Sequence, residues 1–316
     1  MLTSLILFGG LLAGSPQSAT ANLESSDLPI SYARYSTVDK FKRKITFYVS
    51  KAQGEAKLPV ALMILGSGGQ SAFMKRGDKV YGGLQSILLS RAKDKFRVVV
   101  VEKPGVEFCF DPPQPGSAVK CSKEFLEEHT LERWAEANRA ALDASGTITG
   151  VSSGKGLVVG HSEGGIVAAK VGNLTKNASH IAILAGGGPN QLVDLKETMG
   201  SGVDEEWAKI KADPMSTEKF AWGHPYRRWS TFLSTSVIEE VAKGTYKVFL
   251  ASGTKDQAVP VSGFHVAVKE LKAKGRKFDS LLVDGADHGF AKPEDQGKPD
   301  GLFKVMDAVL AWYEKA

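Results

Sequence analysis

Cysteine is scarce in this chain of 316 residues, and several common chemical signatures are missing from it. The only two cysteines do not form a C-x-x-C pair, and no H-E-x-x-H motif or comparable histidine–carboxylate spacing suggests a metal site. The net charge of +5 is mild and dispersed, which argues against nucleic-acid binding. The sequence contains no internal repeat, low-complexity tract or run of membrane-spanning length. These absences favour one globular domain that works without a metal or a cofactor.

The amino terminus resembles an export signal. Residues 1–12 are largely apolar, and the small residues Ala19, Thr20 and Ala21 follow at a spacing that a signal peptidase accepts. We therefore expect a signal peptide at residues 1–21, a mature chain at 22–316, a secreted or periplasmic location and no membrane span after cleavage. Because no Lys or Arg precedes the apolar run, an uncleaved anchor or a misassigned start remains an alternative.

The two cysteines, Cys109 and Cys121, bracket a loop rich in proline and glycine. An even pair of cysteines in an exported chain usually forms a disulfide. We therefore predict a disulfide between them, in a loop at the rim of the site described next.

The most informative motif is G-H-S-E-G-G at residues 160–165, between an apolar run at 157–159 and a helix-like stretch at 166–171. This pattern predicts a strand, a tight turn and a helix, with Ser162 at the apex of the turn. Glycines suit such a turn because a strained backbone leaves no room for a Cβ. The motif indicates a nucleophilic serine; the simpler alternative is a glycine-rich turn with an incidental serine.

A serine nucleophile needs a base, and the base needs a group that orients it. Two later apolar strands each end in a loop with a suitable side chain: Asp256 follows residues 246–250, and His288 follows residues 280–283. We predict His288 as the base and Asp256 as the orienting acid. His224 is the alternative base, and the rival acids flank His288 in sequence: Asp284 and Asp287.

These three loops, from about residue 40 to the carboxyl terminus, resemble the α/β-hydrolase superfamily, and within it the dienelactone-hydrolase-like and prolyl-oligopeptidase-like catalytic domains. The chain order of Ser162, Asp256 and His288 is the order in that superfamily. The resemblance implies an α/β fold with a mostly parallel central β-sheet flanked by helices. It also implies Ser162 as nucleophile, His288 as general base and then acid, and Asp256 as its orienting carboxylate.

An oxyanion hole is expected from two backbone amides. One is the N–H of Glu163, at the start of the helix after the serine. The other comes from the loop Gly66-Ser67-Gly68-Gly69, which follows an apolar strand at 59–65. We expect Ser67 as this second donor, with Gly68 as the alternative.

About 60 residues separate the strand that ends at Ala185 from the strand that begins near Tyr246, which is long for a connection. The resemblance implies that this insert, at about 189–240, caps the pocket. Its aromatic and basic segment supplies candidate substrate-binding residues: Trp222, His224, Tyr226 and Arg227. Packing of the tryptophans against the core, with solvated arginines, is the alternative. An arginine in the pocket would favour a substrate with a carboxylate.

The resemblance implies a serine hydrolase, and we expect a small carboxylic ester as substrate. A serine peptidase or amidase is the alternative within enzymes, since the same side chains cleave amides. A non-catalytic binding protein on a hydrolase fold is the alternative from another class.

Overall fold

The computed structural model describes residues 19–315. The first 18 residues of the predicted signal peptide lie outside this range. The strands, in chain order, are β1 (Asn22–Ser25), β2 (Tyr32–Val38), β3 (Lys44–Ser50), β4 (Val60–Ile64), β5 (Phe73–Arg76), β6 (Lys79–Gly82), β7 (Arg97–Val101), β8 (Gly156–His161), β9 (Ala178–Leu184), β10 (Phe220–Ala221), β11 (His224–Pro225), β12 (Lys247–Gly253) and β13 (Asp279–Val283).

The helices lie between these strands and at the end of the chain. In order they are α1 (Leu84–Ala92), α2 (Lys123–Glu128), α3 (Leu131–Ser145), α4 (Glu163–Leu174), α5 (Gln191–Met199), α6 (Val203–Ala212), α7 (Tyr226–Phe232), α8 (Val237–Lys243), α9 (Val261–Ala273) and α10 (Asp300–Lys315). No helix within residues 19–315 is both long enough and apolar enough to cross a membrane.

The main sheet has nine strands within the described range, in the order β1-β2-β3-β7-β4-β8-β9-β12-β13. The first four strands in this order pair antiparallel, and all pairs from β7 to β13 are parallel. Strands β4 and β7 are buried along their whole length, as expected for apolar runs covered by helices on both faces. The mostly parallel sheet predicted from the sequence is therefore confirmed.

Two apolar clusters cover the two faces of the sheet. One includes residues from α3, α4, α8 and α9, and the other includes residues from α1 and α10. A third, smaller cluster lies in the segment between β9 and β12, the region of the expected cap, and contains Ile210, Trp229 and Leu233. This segment therefore has a small core of its own beside the main sheet.

The predicted disulfide is absent, because Cys109 and Cys121 are both free thiols. Their surroundings explain the difference. Cys109 packs against the apolar cluster on the α1 and α10 face, whereas the Cys121 Sγ lies 3.9 Å from the carbonyl oxygen of Ser117. The sequence indicates that both cysteines belong to one loop, but not that their side chains have different neighbours.

Candidate active site

Ser162 lies on the turn between β8 and α4, with a strained backbone at φ 56° and ψ −127°. Glycines make this turn possible. A Cβ at Gly160 would collide with the carbonyl oxygen of Gly164, and a Cβ at Gly186 would collide with that of Ser162 itself. Strain of this kind persists only where the surroundings enforce it, and it is common at functional sites. The turn thus holds the Ser162 side chain at the carboxyl end of the parallel strands.

His288 and Asp256 approach one another from the loops after β13 and β12. His288 Nδ1 lies 2.8 Å from Asp256 Oδ2, within hydrogen-bonding distance. The rival carboxylates have other partners: Asp284 accepts a hydrogen bond from the Thr254 hydroxyl, and Asp287 accepts from backbone amides of its own loop. In residues 19–315 the Ser162 hydroxyl forms no hydrogen bond with His288, although both side chains line the same cavity.

His161, next to the serine in sequence, contacts the loop of His288. Its Nε2 lies 2.9 Å from the carbonyl oxygen of His288. Burial lowers the pKa of His161 to about 4, so its ring is neutral at physiological pH and Nε2 donates this hydrogen bond when it carries the proton. His161 thereby joins the serine turn to the histidine loop. The sequence indicates only that this side chain points away from Ser162.

The loop after β4 lies against the serine: a Cβ at Gly66 would be 3.7 Å from the Ser162 Oγ. Ser67 lines the cavity, whereas Gly68 packs against the backbone of Gly116. Buried Lys103, just after β7, donates hydrogen bonds of 2.5 Å to the carbonyl oxygens of Gly66 and Gly68. These two hydrogen bonds hold the loop in place beside the serine. Lys103 was not among the residues predicted from the sequence. Its position directly after a buried strand is the sequence feature that could have indicated it.

The carboxylate of Glu163, at the cavity wall, is buried and forms an ion pair with Arg228 and a hydrogen bond with His129. One oxygen accepts hydrogen bonds from Nε and Nη2 of Arg228, and the other lies 2.9 Å from His129 Nε2. Burial raises the pKa of Glu163, but the charge of Arg228 and the hydrogen bond with His129 outweigh it and hold this pKa well below its usual range. The Arg228 guanidinium also stacks on the ring of Trp229, at 3.7 Å from the ring centre. Glu163 is therefore ionised and paired.

Serine, histidine and charged side chains meet in one cavity of about 410 Å³. This volume is in the range of small-ligand sites. The cavity is lined by residues from the loops of the main sheet and from the insert. Among them are Ser67, Ser162, Glu163, Asp194, Arg228 and His288. No group of three or more His, Cys, Asp or Glu side chains suited to a metal ion occurs in the described part of the chain.

The four candidate substrate-binding residues lie outside this cavity. Trp222 packs edge-on against Trp229, and His224 is buried beside the same ring. The Tyr226 hydroxyl lies 2.5 Å from a carboxylate oxygen of Glu206, and Arg227 Nε donates to the carbonyl oxygen of Glu127. These contacts match the packing alternative for Trp222 but not its solvated arginines, since Arg227 contacts a backbone carbonyl and Arg228 is buried.

Their neighbours on α7, Arg228 and Trp229, line the cavity instead. Adjacent residues on a helix point about 100° apart, so the choice between Arg227 and Arg228 depends on how the helix is rotated. The sequence predicts a helix-flanked aromatic segment but does not indicate this rotation.

The sheet and the serine turn at the carboxyl end of its parallel strands define the chain as an α/β-hydrolase. The profile of the prolyl oligopeptidase family matches residues 139–316, which is more than half of the chain. The chain belongs to the prolyl oligopeptidase family. No curated protein sequence matches it significantly.

Solved structures of similar fold include dipeptidyl peptidase 4 from Porphyromonas gingivalis, with a TM-score of 0.60 at 12% identity over 90% of this chain and 36% of that one. The acylaminoacyl peptidase of Pyrococcus horikoshii has a TM-score of 0.57 at 13% identity, over 94% of this chain and 42% of that one. Est1E from Butyrivibrio proteoclasticus has a TM-score of 0.58 at 14% identity, over 91% of this chain and 100% of that one. The chain thus spans about two fifths of the two peptidase chains and all of Est1E.

Proposed function

We propose that this protein is an exported serine hydrolase that cleaves a small carboxylic ester through an acyl-enzyme on Ser162. The observation that carries the proposal is the 2.8 Å hydrogen bond between His288 Nδ1 and Asp256 Oδ2, in a loop pair whose histidine lines the same cavity as Ser162. This bond orients the imidazole so that its other nitrogen, Nε2, is available to accept the serine proton.

In the proposed reaction His288 takes the proton from Ser162 as the serine oxygen attacks the ester carbonyl. The backbone N–H groups of Glu163 and Ser67 stabilise the resulting oxyanion. His288 then gives the proton to the leaving alcohol, and the acyl group stays on the serine. Water, activated by the same histidine, releases the carboxylic acid and restores the enzyme.

A serine peptidase or amidase is the second candidate. The prolyl oligopeptidase family match favours it, and two of the structural neighbours are named as peptidases. The proposed roles of Ser162, Asp256 and His288 are the same for esters and amides, so a panel of short and long acyl esters and peptide amides distinguishes the two candidates. Higher kcat/KM on amides than on matched esters would favour the peptidase.

Export is proposed from the apolar segment and small residues within 1–21 alone, since the expected disulfide is not formed. Expression of the full chain in a bacterial host, followed by separation of the periplasm and mass measurement of the product, tests it. A periplasmic protein that begins at Asn22 is the expected result. A full-length protein retained in the cytoplasm would contradict the proposal.

Labelling with a fluorophosphonate probe tests the nucleophile. We expect one adduct on Ser162, located by peptide mass mapping, with slower labelling in His288→Ala and none on this peptide in Ser162→Ala. The same Ser162→Ala variant should lose ester turnover. A folded wild-type protein that neither labels nor turns over any ester would favour the alternative of a binding protein.

A further inference from the structure

One acidic side chain at the cavity has no hydrogen-bond or ion-pair partner among residues 19–315. Asp194, in the first turn of α5, lines the same cavity as Ser162 and His288. Within residues 19–315 its carboxylate oxygens accept no hydrogen bond and form no ion pair. A partly buried carboxylate without a partner costs free energy, so this position requires an explanation.

The space around this carboxylate is made by two glycines. A Cβ at Gly188, after β9, would lie 3.1 Å from Asp194 Oδ1, and a Cβ at Gly263, on α9, would lie 3.3 Å from it. Larger residues at these positions would therefore crowd the carboxylate. Its place at the start of α5 also favours the ionised form, through the helix dipole.

Two other ionisable groups at or beside the cavity already have partners. Arg228, the cavity's arginine, has two nitrogens on the carboxylate of Glu163, and Asp256 is paired with His288. Asp194 is therefore the acidic group at the cavity without a partner among residues 19–315. Because Nε and Nη2 of Arg228 are engaged by Glu163 and only its buried Nη1 has no hydrogen-bond partner, these contacts argue against the carboxylate-bearing substrate that a free arginine in the pocket would favour.

We propose that Asp194 is a specificity-determining residue that binds a cationic group, such as an ammonium, on the substrate. This inference rests on the proposed function, because it assigns a substrate class to the same cavity. A positive group brought against the partly buried carboxylate of Asp194 supplies the missing counter-charge.

The electrostatic surroundings of Asp194 support this role. Burial, and then the nearby carboxylates of Glu197 and Asp256, raise the pKa of Asp194 to about 7. A bound cation would favour the ionised carboxylate and so lower this pKa. Binding of a cation should therefore strengthen as the pH rises from 6 to 8.

Two pairs of isosteric esters test the proposal at pH 8. One pair places the charge on the alcohol: acetylcholine and the ester in which a tert-butyl group replaces the trimethylammonium. The other pair places it on the acyl group: para-nitrophenyl γ-trimethylammoniobutyrate and its tert-butyl counterpart. For at least one pair we expect the cationic ester to have about tenfold higher kcat/KM, the effect of about 1.4 kcal/mol of differential binding.

The Asp194→Asn variant should reduce this ratio of cationic to neutral ester to about one, while Glu197→Gln, one turn further along α5 and outside the cavity, should keep it. Each ratio compares two esters on one enzyme, so a pH effect on the chemical step that the two esters share cancels. The ratio should also fall when the wild type is assayed at pH 6. A wild-type ratio at or below one in both pairs, or a ratio unchanged in Asp194→Asn, would overturn the proposal.

Equilibrium binding separates this proposal from the proposed function. Calorimetric titration with choline and with its uncharged tert-butyl isostere requires no turnover. If neither ester is hydrolysed but choline binds more tightly than its isostere, and Asp194→Asn removes the difference, the cation site stands and the esterase assignment fails. If esters are hydrolysed but neither ester pair nor choline shows an advantage for the cationic member, the esterase assignment stands and the cation site fails.

Discussion

Asp256 holds both the candidate base and its own loop. One oxygen, Oδ2, pairs with His288, and the other, Oδ1, accepts hydrogen bonds of 2.9 Å from the backbone amides of Ala258 and Val259. The residue is buried, with 7% of its surface exposed, so water competes little for these bonds. The backbone of the loop therefore holds the carboxylate in the position from which it contacts the histidine.

We predict that Asp256→Asn lowers kcat by about a thousandfold to ten-thousandfold, because the amide favours the wrong tautomer of His288. The measurement is steady-state hydrolysis of a para-nitrophenyl ester by the folded variant. Asp284→Asn is the matched control, since Asp284 contacts Thr254 and not the histidine. Equal losses in the two variants would count against Asp256 as the orienting acid.

Among the helices, the buried carboxylate of Glu163 joins elements that are distant in sequence. Glu163 begins α4, Arg228 lies on α7, and His129 directly follows α2. The three side chains are almost completely buried. Because an uncompensated buried charge is costly, this contact fixes the insert helix α7 against the helix that carries the serine turn.

We predict that Glu163→Gln destabilises the protein by about 3–5 kcal/mol, because it leaves the Arg228 guanidinium buried without its counter-charge. Urea unfolding measures this loss as a lower midpoint with an unchanged slope. Glu205→Gln, on the exposed side of α6, is the control and should stay near the wild type. A Glu163→Gln protein as stable as the wild type would show that the arginine finds another partner or solvent.

The sequence predicts which residues follow the ends of the strands, but it does not predict which side chains of the insert face the cavity. The difference has a physical reason. Apolar runs such as 157–159 and 280–283 are followed directly by the functional loops, and parallel strands bring their carboxyl ends to one edge of the sheet. In the insert the outcome depends on helix rotation, which places Arg228 rather than Arg227 in the cavity. Asp194 has no motif around it, and only the cavity distinguishes it from other acidic residues on exposed helices.

At the scale of the whole molecule, Asp194 makes stability depend on pH. Its pKa is about 7 in the folded protein, and a carboxyl in an unfolded chain has a pKa of about 3.9. Between these values the folded state binds more protons than the unfolded state, so this residue lowers the free energy of unfolding as the pH rises. A protein that keeps such a residue gives up stability at neutral pH, a cost often associated with function.

We therefore predict that Asp194→Asn is more stable than the wild type at pH 8, on the order of 1 kcal/mol once solvent screening is allowed for, and that the gain shrinks toward pH 5. The amide fits the same space and carries no charge. The variant therefore does not lose free energy of unfolding as the pH rises above the pKa of Asp194. Urea unfolding of both proteins at the two pH values measures the difference. Glu197→Gln should show no comparable gain, since that side chain already accepts a hydrogen bond from Ser262.

If Asp194→Asn were less stable at both pH values, the carboxylate would have a partner within the folded protein, and the cavity would then hold no free negative charge for a cationic substrate. Stability and specificity thus test the same unpaired charge by independent measurements.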